Sequence, residues 1–340
     1  MKNLFDYATK ELSQDAFLRW LFENHDCENN SVRKACRKLF DSFTDNKFKD
    51  KTITDLSTVA QWKSIDISIW FKIEDEQHLI VIEDKTGTSV HDNQLARYEA
   101  EIIAHNNFWR KKENRDKYPN ERFRYTEKDE NVYKIFYKSN IIDSWELEYT
   151  QKNGWKNYSI YSIYELFADI KSDSEVLNYY IEYIKKNYSA AKRESTPSEW
   201  NLISWHSFFN NYHSLDCVSE KKEINRYQKE YYYIKLFVKE HEDDIPCIEI
   251  RSRDFSCDKK SGKYSIIVRA VLYNLSYTVN AEDIKTWQES LEKHGFILNH
   301  KKDISKLKQI GYFVKTDIEN NEISLTNALN KISALFSTIF

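Results

Sequence analysis

The chain has 340 residues, 41% hydrophobic and 31% charged, and its 51 Lys and Arg nearly balance 54 Asp and Glu, leaving a net charge of −3. That length accommodates two domains or one large one, and the charge balance excludes a globally basic nucleic-acid glove, so any phosphate-binding surface is expected to be a local patch. The five cysteines are scattered without a Cys-x-x-Cys pair, no signal peptide is visible and no run approaches the roughly 18 apolar residues of a membrane span, so a cytoplasmic protein with no membrane contact is expected.

In chain order, residues 3–24 read as a helix with Ser13 as its N-cap and Phe17, Leu18, Leu21 and Phe22 turned inward. Glu11 then stands just outside the first turn, or else one turn before Asp15 on the same face. An acid there compensates the helix dipole or serves a site; the residues alone leave both open, with Asp15 as a reserve. Ser31–Phe43 is a second amphipathic helix, with Arg33, Lys34, Arg37 and Lys38 on its outer face. A short strand at Thr58–Trp62 feeds the segment that organises the chain.

That segment holds two apolar-rich runs, Ile65–Ile73 and Leu79–Lys85, joined by the polar Glu74-Asp75-Glu76-Gln77. Their length, Ile/Val content and polar connection predict an antiparallel hairpin. Side chains alternate along a strand, so Glu83 and Lys85 share one face and Asp84 takes the other. Centred on its turn, the hairpin sets Asp66 across from Glu83 or Lys85 and on their face, with Ile80 and Ile82 among the apolar partners on the opposite one. Two acids so placed can hold a hard divalent cation, which prefers oxygen and keeps several waters. A lysine beside them can orient or help deprotonate a water and offset the charge of a phosphate. Glu-x-Lys is a common pattern, and a solvated surface ion pair stays open on these residues alone. The next segment is polar and holds Gly87. A helix follows with Asp92 as its predicted N-cap and a Leu95, Tyr98, Ile102 stripe. On it Gln94 and Tyr98 project together, either toward a site or as cap and core.

Asp66, then Glu83-Asp84-Lys85, then Gln94-x-x-x-Tyr98 resembles the PD-(D/E)XK nuclease superfamily, with Ile65 in place of the proline of its name. Ala8–Phe17 also resembles the opening of one bacterial branch of that superfamily, and the resemblance covers about residues 3 to 185. It implies a restriction-endonuclease-like core in which Asp66, Glu83 and the Asp84 backbone carbonyl bind Mg²⁺, with Mn²⁺ as substitute. Lys85 is then catalytic, Glu11 is the helix-borne acid near the metal, and Gln94 and Tyr98 are accessory site residues. The activity implied is phosphodiester hydrolysis in nucleic acid, DNA favoured over RNA, in the setting of restriction or anti-phage defence. An RNA-directed nuclease and a catalytically silent binding module are the rival readings.

Phe108–Asn131 carries eight Lys or Arg with fewer acids and Pro119, and is expected to be only partly ordered, as a phosphate-backbone clamp or a plain solvated insertion. Val132–Lys138 and Tyr158–Ile160 read as strands, followed by helices at Tyr161–Lys171 and Ser174–Asn187. This first half, residues 1–190, is α/β with a mixed central sheet flanked by helices. Ser189–Glu199 reads as the linker. Residues 191–340 read as α+β: a helix at Trp200–His213, strands at Tyr231–Lys239, Pro246–Arg251 and Tyr264–Tyr273, and helices at Ala281–His294 and Ser324–Phe340. Its Tyr231–Tyr233 cluster, with Arg251, Arg253, Lys259, Lys260 and Lys263, either stacks bases and contacts phosphates or is strand core with a basic hairpin tip. This half is assigned to substrate selection or homo-oligomerisation. Every glycine is isolated, so a P-loop or dinucleotide-binding turn is excluded, and neither a zincin nor a G-x-S-x-G motif occurs.

Overall fold

The computed structural model describes residues 3, 5, 11–90, 93–118, 124–212, 218–227, 231–238, 247–271, 281–298 and 309–339. The chain is α/β and divides into two compact units, Met1–Ser189 and Ala190–Phe340. Among the described residues no helix is long and apolar enough to cross a membrane.

The first unit is built on a five-stranded mixed sheet in the order β1-β2-β3-β4-β5. Strands β1 (Ile53–Trp62), β2 (Ile65–Ile73) and β3 (Glu76–Lys85) form an antiparallel meander; β4 (Val132–Lys138) and β5 (Lys156–Tyr158) add on in parallel. The hairpin register pairs Ile67 with Ile82 and Ile69 with Ile80, which puts these apolar residues on one face. That face meets α1 (Glu11–Glu23) and α2 (Asn30–Phe43), where Phe40 meets Phe71 edge-on at 4.9 Å between ring centroids. The opposite face carries Trp70, Leu79 and Val81 and is covered by Leu95, Tyr98 and Ile102 of α3 (Gln94–Arg110). Those helix positions follow the i, i+3, i+7 spacing that gathers one apolar stripe. The crossover from β3 through α3 to the parallel β4 is what parallel strands require.

Several local details differ from the sequence reading. The helix has already begun at Glu11, so Ser13 lies inside it and does not cap it. The second helix begins one residue earlier than expected, at Asn30, and is capped by Asn29, whose side chain accepts from Val32 N–H at 3.0 Å. Asp92 lies outside the described residues, and α3 is preceded by Asn93 in the left-handed region. Much of the expected irregular connection is helical: α3 runs to Arg110, and α4 (Lys112–Lys117) follows. The short strand expected at Tyr158–Ile160 ends at Tyr158, and α6 (Ile160–Phe167) begins at once. The predicted linker opens inside α7 (Glu175–Lys192), and Pro197–Glu199 closes it as a 3₁₀ turn.

A helix absent from the sequence reading, α5 (Ser144–Lys152), is fixed by a buried ion pair at the end of β4. Glu146 accepts from Lys138 Nζ at 2.6 Å and from the Asp143 N–H at 3.0 Å, so one carboxylate caps the helix and neutralises a buried lysine. Lys138 is the in-register neighbour of Lys85 on the parallel strand.

The second unit holds a six-stranded antiparallel sheet in the order β10-β11-β9-β8-β7-β6: β6 (Val218–Tyr227), β7 (Tyr231–Val238), β8 (Cys247–Cys257), β9 (Tyr264–Val271), β10 (Ile297–Leu298) and β11 (Gln309–Ile318). Its cross-strand row Ile234, Ile250, Val268 and Phe313 packs on helices α8 (Leu202–Asn211), α9 (Ala281–Lys293) and α10 (Glu322–Ser337) through Phe209, Leu291, Leu329 and Phe336.

Removing one partner of a buried ion pair leaves the other charge desolvated. Glu146→Ala is therefore expected to cost about 3–5 kcal/mol in urea unfolding, while Lys138→Met with Glu146→Leu recovers most of that loss. Equal losses in both proteins would show that Lys138 is solvated without its partner.

Candidate metal centre

One residue beyond the Ile67–Ile82 pair, the hairpin register sets Asp66 opposite Glu83. Directly opposed residues share a face, so both acids point to the side covered by α3. The Asp66 carboxylate is tied to the strand next door: its Oδ2 accepts the Asp84 N–H at 2.9 Å, and its Oδ1 accepts the Gln61 amide at 3.1 Å. Glu83 is fully buried and Lys85 nearly so.

The Lys85 ammonium stands among all three oxygens that the sequence reading assigns to a metal. It donates to Glu83 Oε1 and, at 3.3 Å, to the Asp84 carbonyl, and its nitrogen lies 3.9 Å from Asp66 Oδ2. Gln94, at the start of α3, donates to Glu83 Oε1 at 2.7 Å and to the Tyr98 hydroxyl at 2.6 Å. The two residues reach the site together because they are one helical turn apart. Burial, and then the nearby Glu83 carboxylate, pushes the Tyr98 phenol up to about 12, so it stays protonated.

Burial is also the main reason the Glu83 carboxyl is pushed up to about 8; the Asp66 carboxylate adds to the rise and Lys85 opposes it. Glu83 Oε2 is buried and receives no hydrogen bond among the described residues. Either a proton or a divalent cation relieves this pair. Among the described residues no group of three or more His, Cys, Asp and Glu side chains gathers into a metal cage. A Mg²⁺-type site needs less, because that ion keeps several waters and is commonly bound through one or two carboxylates and a substrate phosphate. The donor set of Asp66, Glu83 and the Asp84 carbonyl fits a hard cation of that kind, since these oxygens already converge on one positive charge.

The reverse face of β3 carries a different cluster. The Asp84 side chain is fully buried there and accepts from Gln14 Nε2 of α1. Its carboxyl is pushed well above the usual range by burial, and next by the neighbouring Asp15 carboxylate. Asp15, the reserve acid, therefore lies with Asp84 behind the strand and not with Glu83. Glu11 opens the same helix; its side chain lies outside the described residues.

Gln61 and Gln14 were not singled out in the sequence. The signal for Gln61 is the Trp62–Ile65 pair closing a two-residue turn, which by count sets Gln61 against Asp66. Comparisons with protein-family models, with curated proteins and with solved structures returned no match to this chain.

A carboxyl whose folded pKa is raised contributes most to stability below its ordinary value of 4.5, and that contribution is lost as pH climbs to about 8. Glu83→Gln carries no such charge. Its stability relative to wild type should therefore grow across that window, by at most about 1.4 kcal/mol per pH unit, in urea melts in metal-free buffer. A difference that stays flat with pH would mean that Glu83 titrates as an ordinary solvated acid.

Proposed function

We propose that the chain is a Mg²⁺-dependent nuclease that hydrolyses phosphodiester bonds, with DNA as its substrate and endonucleolytic cleavage as its mode. The observation that carries this reading is the convergence of Asp66, Glu83 and Lys85 at one end of the β2–β3 hairpin, with the lysine nitrogen within reach of both acids. A structural ion pair needs one acid and one base. Here two acids sit beside a single ammonium, in a place where burial makes the second negative charge costly.

In this reading Asp66, Glu83 and the Asp84 carbonyl hold Mg²⁺ or Mn²⁺, which supplies charge neutralisation at a phosphodiester and lowers the pKa of water. Lys85 orients the attacking water and offsets charge building on the phosphate oxygens. Gln94 holds Oε1 of Glu83 and keeps Tyr98 aligned, which restrains the acid beside Asp66. Glu11, the first residue of α1, is assigned as the helix-borne acid near the metal by the superfamily resemblance alone.

The test is incubation of the purified protein with panels of single- and double-stranded DNA and RNA in Mg²⁺, Mn²⁺ or EDTA. Cleavage of DNA that EDTA abolishes is expected, and Asp66→Asn, Glu83→Gln and Lys85→Ala should each lower it by about a hundredfold or more while the proteins stay folded. Cleavage confined to RNA would move the substrate class. No cleavage of any polynucleotide, or cleavage unchanged in the three variants, would overturn the assignment.

A further inference from the structure

The connection between β1 and β2 is a backbone anomaly directly beside the candidate centre. Gln61, Lys63 and Ser64 all have positive φ, at 54°, 56° and 64°. Lys63 and Ser64 form the two-residue turn closed by the Trp62–Ile65 pair, where a right-handed strand twist calls for positive φ and Asn-Gly is the favoured sequence. Gln61 has no such excuse, because it lies inside strand β1. A side-chain-bearing residue held there costs about 1 kcal/mol and persists only where its surroundings over-determine it.

The register shows what the distortion accompanies. Ala60 pairs with Ile67 and Trp62 with Ile65, so Gln61 stands directly across from Asp66. Asp66 in turn stands across from Glu83 by the β2–β3 register. Gln61, Asp66 and Glu83 thus form one row over three strands, and the row ends on the exposed edge strand. The Gln61 amide donates to Asp66 Oδ1 at 3.1 Å, while Oδ2 takes the Asp84 N–H from the other side. Two donors, one from each flanking strand, fix the plane of the carboxylate.

The chemistry of the donor matters as much as its place. A lysine or arginine at position 61 would neutralise Asp66 and compete with any cation for it. An amide orients the carboxylate and leaves its negative charge in full.

We propose that Gln61 is a positioning residue for Asp66: its amide, aimed by the distorted end of β1, presets the carboxylate for a divalent cation. The proposal rests on the reading of Asp66 and Glu83 as metal ligands. Outer partners of metal-binding carboxylates are where a loss of about 10- to 100-fold in affinity arises without any change of ligand.

The test compares the wild-type 340-residue chain with Gln61→Gly, Gln61→Met and Lys63→Gly, measuring the melting temperature in EDTA and through a Mn²⁺ titration. Gln61→Gly removes the amide and relieves the positive φ. It should melt higher than wild type in EDTA, yet need about tenfold more Mn²⁺ for half its stabilisation. Gln61→Met keeps the strain and loses the donor, so its EDTA melt should match wild type while its Mn²⁺ requirement rises equally. Lys63→Gly relieves strain two residues away and keeps the amide; it should melt higher with an unchanged Mn²⁺ requirement. A purely structural Gln61 would move the EDTA melts and leave the Mn²⁺ midpoints of both Gln61 variants at the wild-type value, which overturns the proposal while the metal centre stands. A wild type indifferent to Mn²⁺ would overturn the centre and this proposal with it.

Discussion

Two carboxylates on adjacent strands repel each other, and a buried one cannot shed that repulsion into water. The Lys85 ammonium is the charge that lets Asp66 and Glu83 stand side by side. It reaches both acids and the Asp84 carbonyl from the end of the same strand. Its contacts depend on the hairpin register, because a slip of one residue would send Asp66 to the opposite face. The register is held in turn by Ile67, Ile69, Ile80 and Ile82, four fully buried side chains that have no other face to go to. Packing of four isoleucines thus fixes the spacing of a charge cluster on the opposite side of the sheet.

The helices complete the arrangement from both sides. From one face, α3 presents Gln94 and Tyr98 to Glu83; from the other, Gln14 of α1 holds the Asp84 side chain. Asp84 is consequently anchored three ways: its side chain to a helix, its N–H to Asp66 and its carbonyl to Lys85. A strand terminus frays unless such ties restrain it, and a metal-binding pair tolerates little drift. The Lys138–Glu146 pair does similar work on the neighbouring strand, fixing the start of α5 beside the end of β4.

Most of the frame could be read in advance because its signals are local. Alternating Ile in Ile65–Ile73 and the compact apolar run Val132–Lys138 declare strands, and Leu95, Tyr98 and Ile102 declare a helix face. From the central hairpin alone, Asp66, Glu83 and Lys85 could be placed together. What escaped depends on contacts distant in sequence. Ser144–Lys152 has little amphipathic pattern, and its helix is specified by Asp143, Glu146 and the remote Lys138. Val218–Tyr227 reads as polar because it lies at the edge of its sheet. The isolated Gly311 lies within β11, where an added Cβ would come 3.3 Å from the Ile297 carbonyl; it marks a close strand approach. Gln61 was hidden for a related reason, since its role follows from a turn built of Lys63 and Ser64 where Asn-Gly would have announced itself.

In the proposed function, the oxygens now gathered around Lys85 bind a hard divalent cation. Anomalous diffraction from crystals soaked in Mn²⁺ tests it directly. An anomalous peak is expected between Asp66 and Glu83, about 2.0–2.3 Å from an oxygen of each, and absent from Asp66→Asn crystals grown and soaked identically. Manganese bound only elsewhere on the surface, with Lys85 still donating to Glu83 and the two acids unchanged, would contradict it.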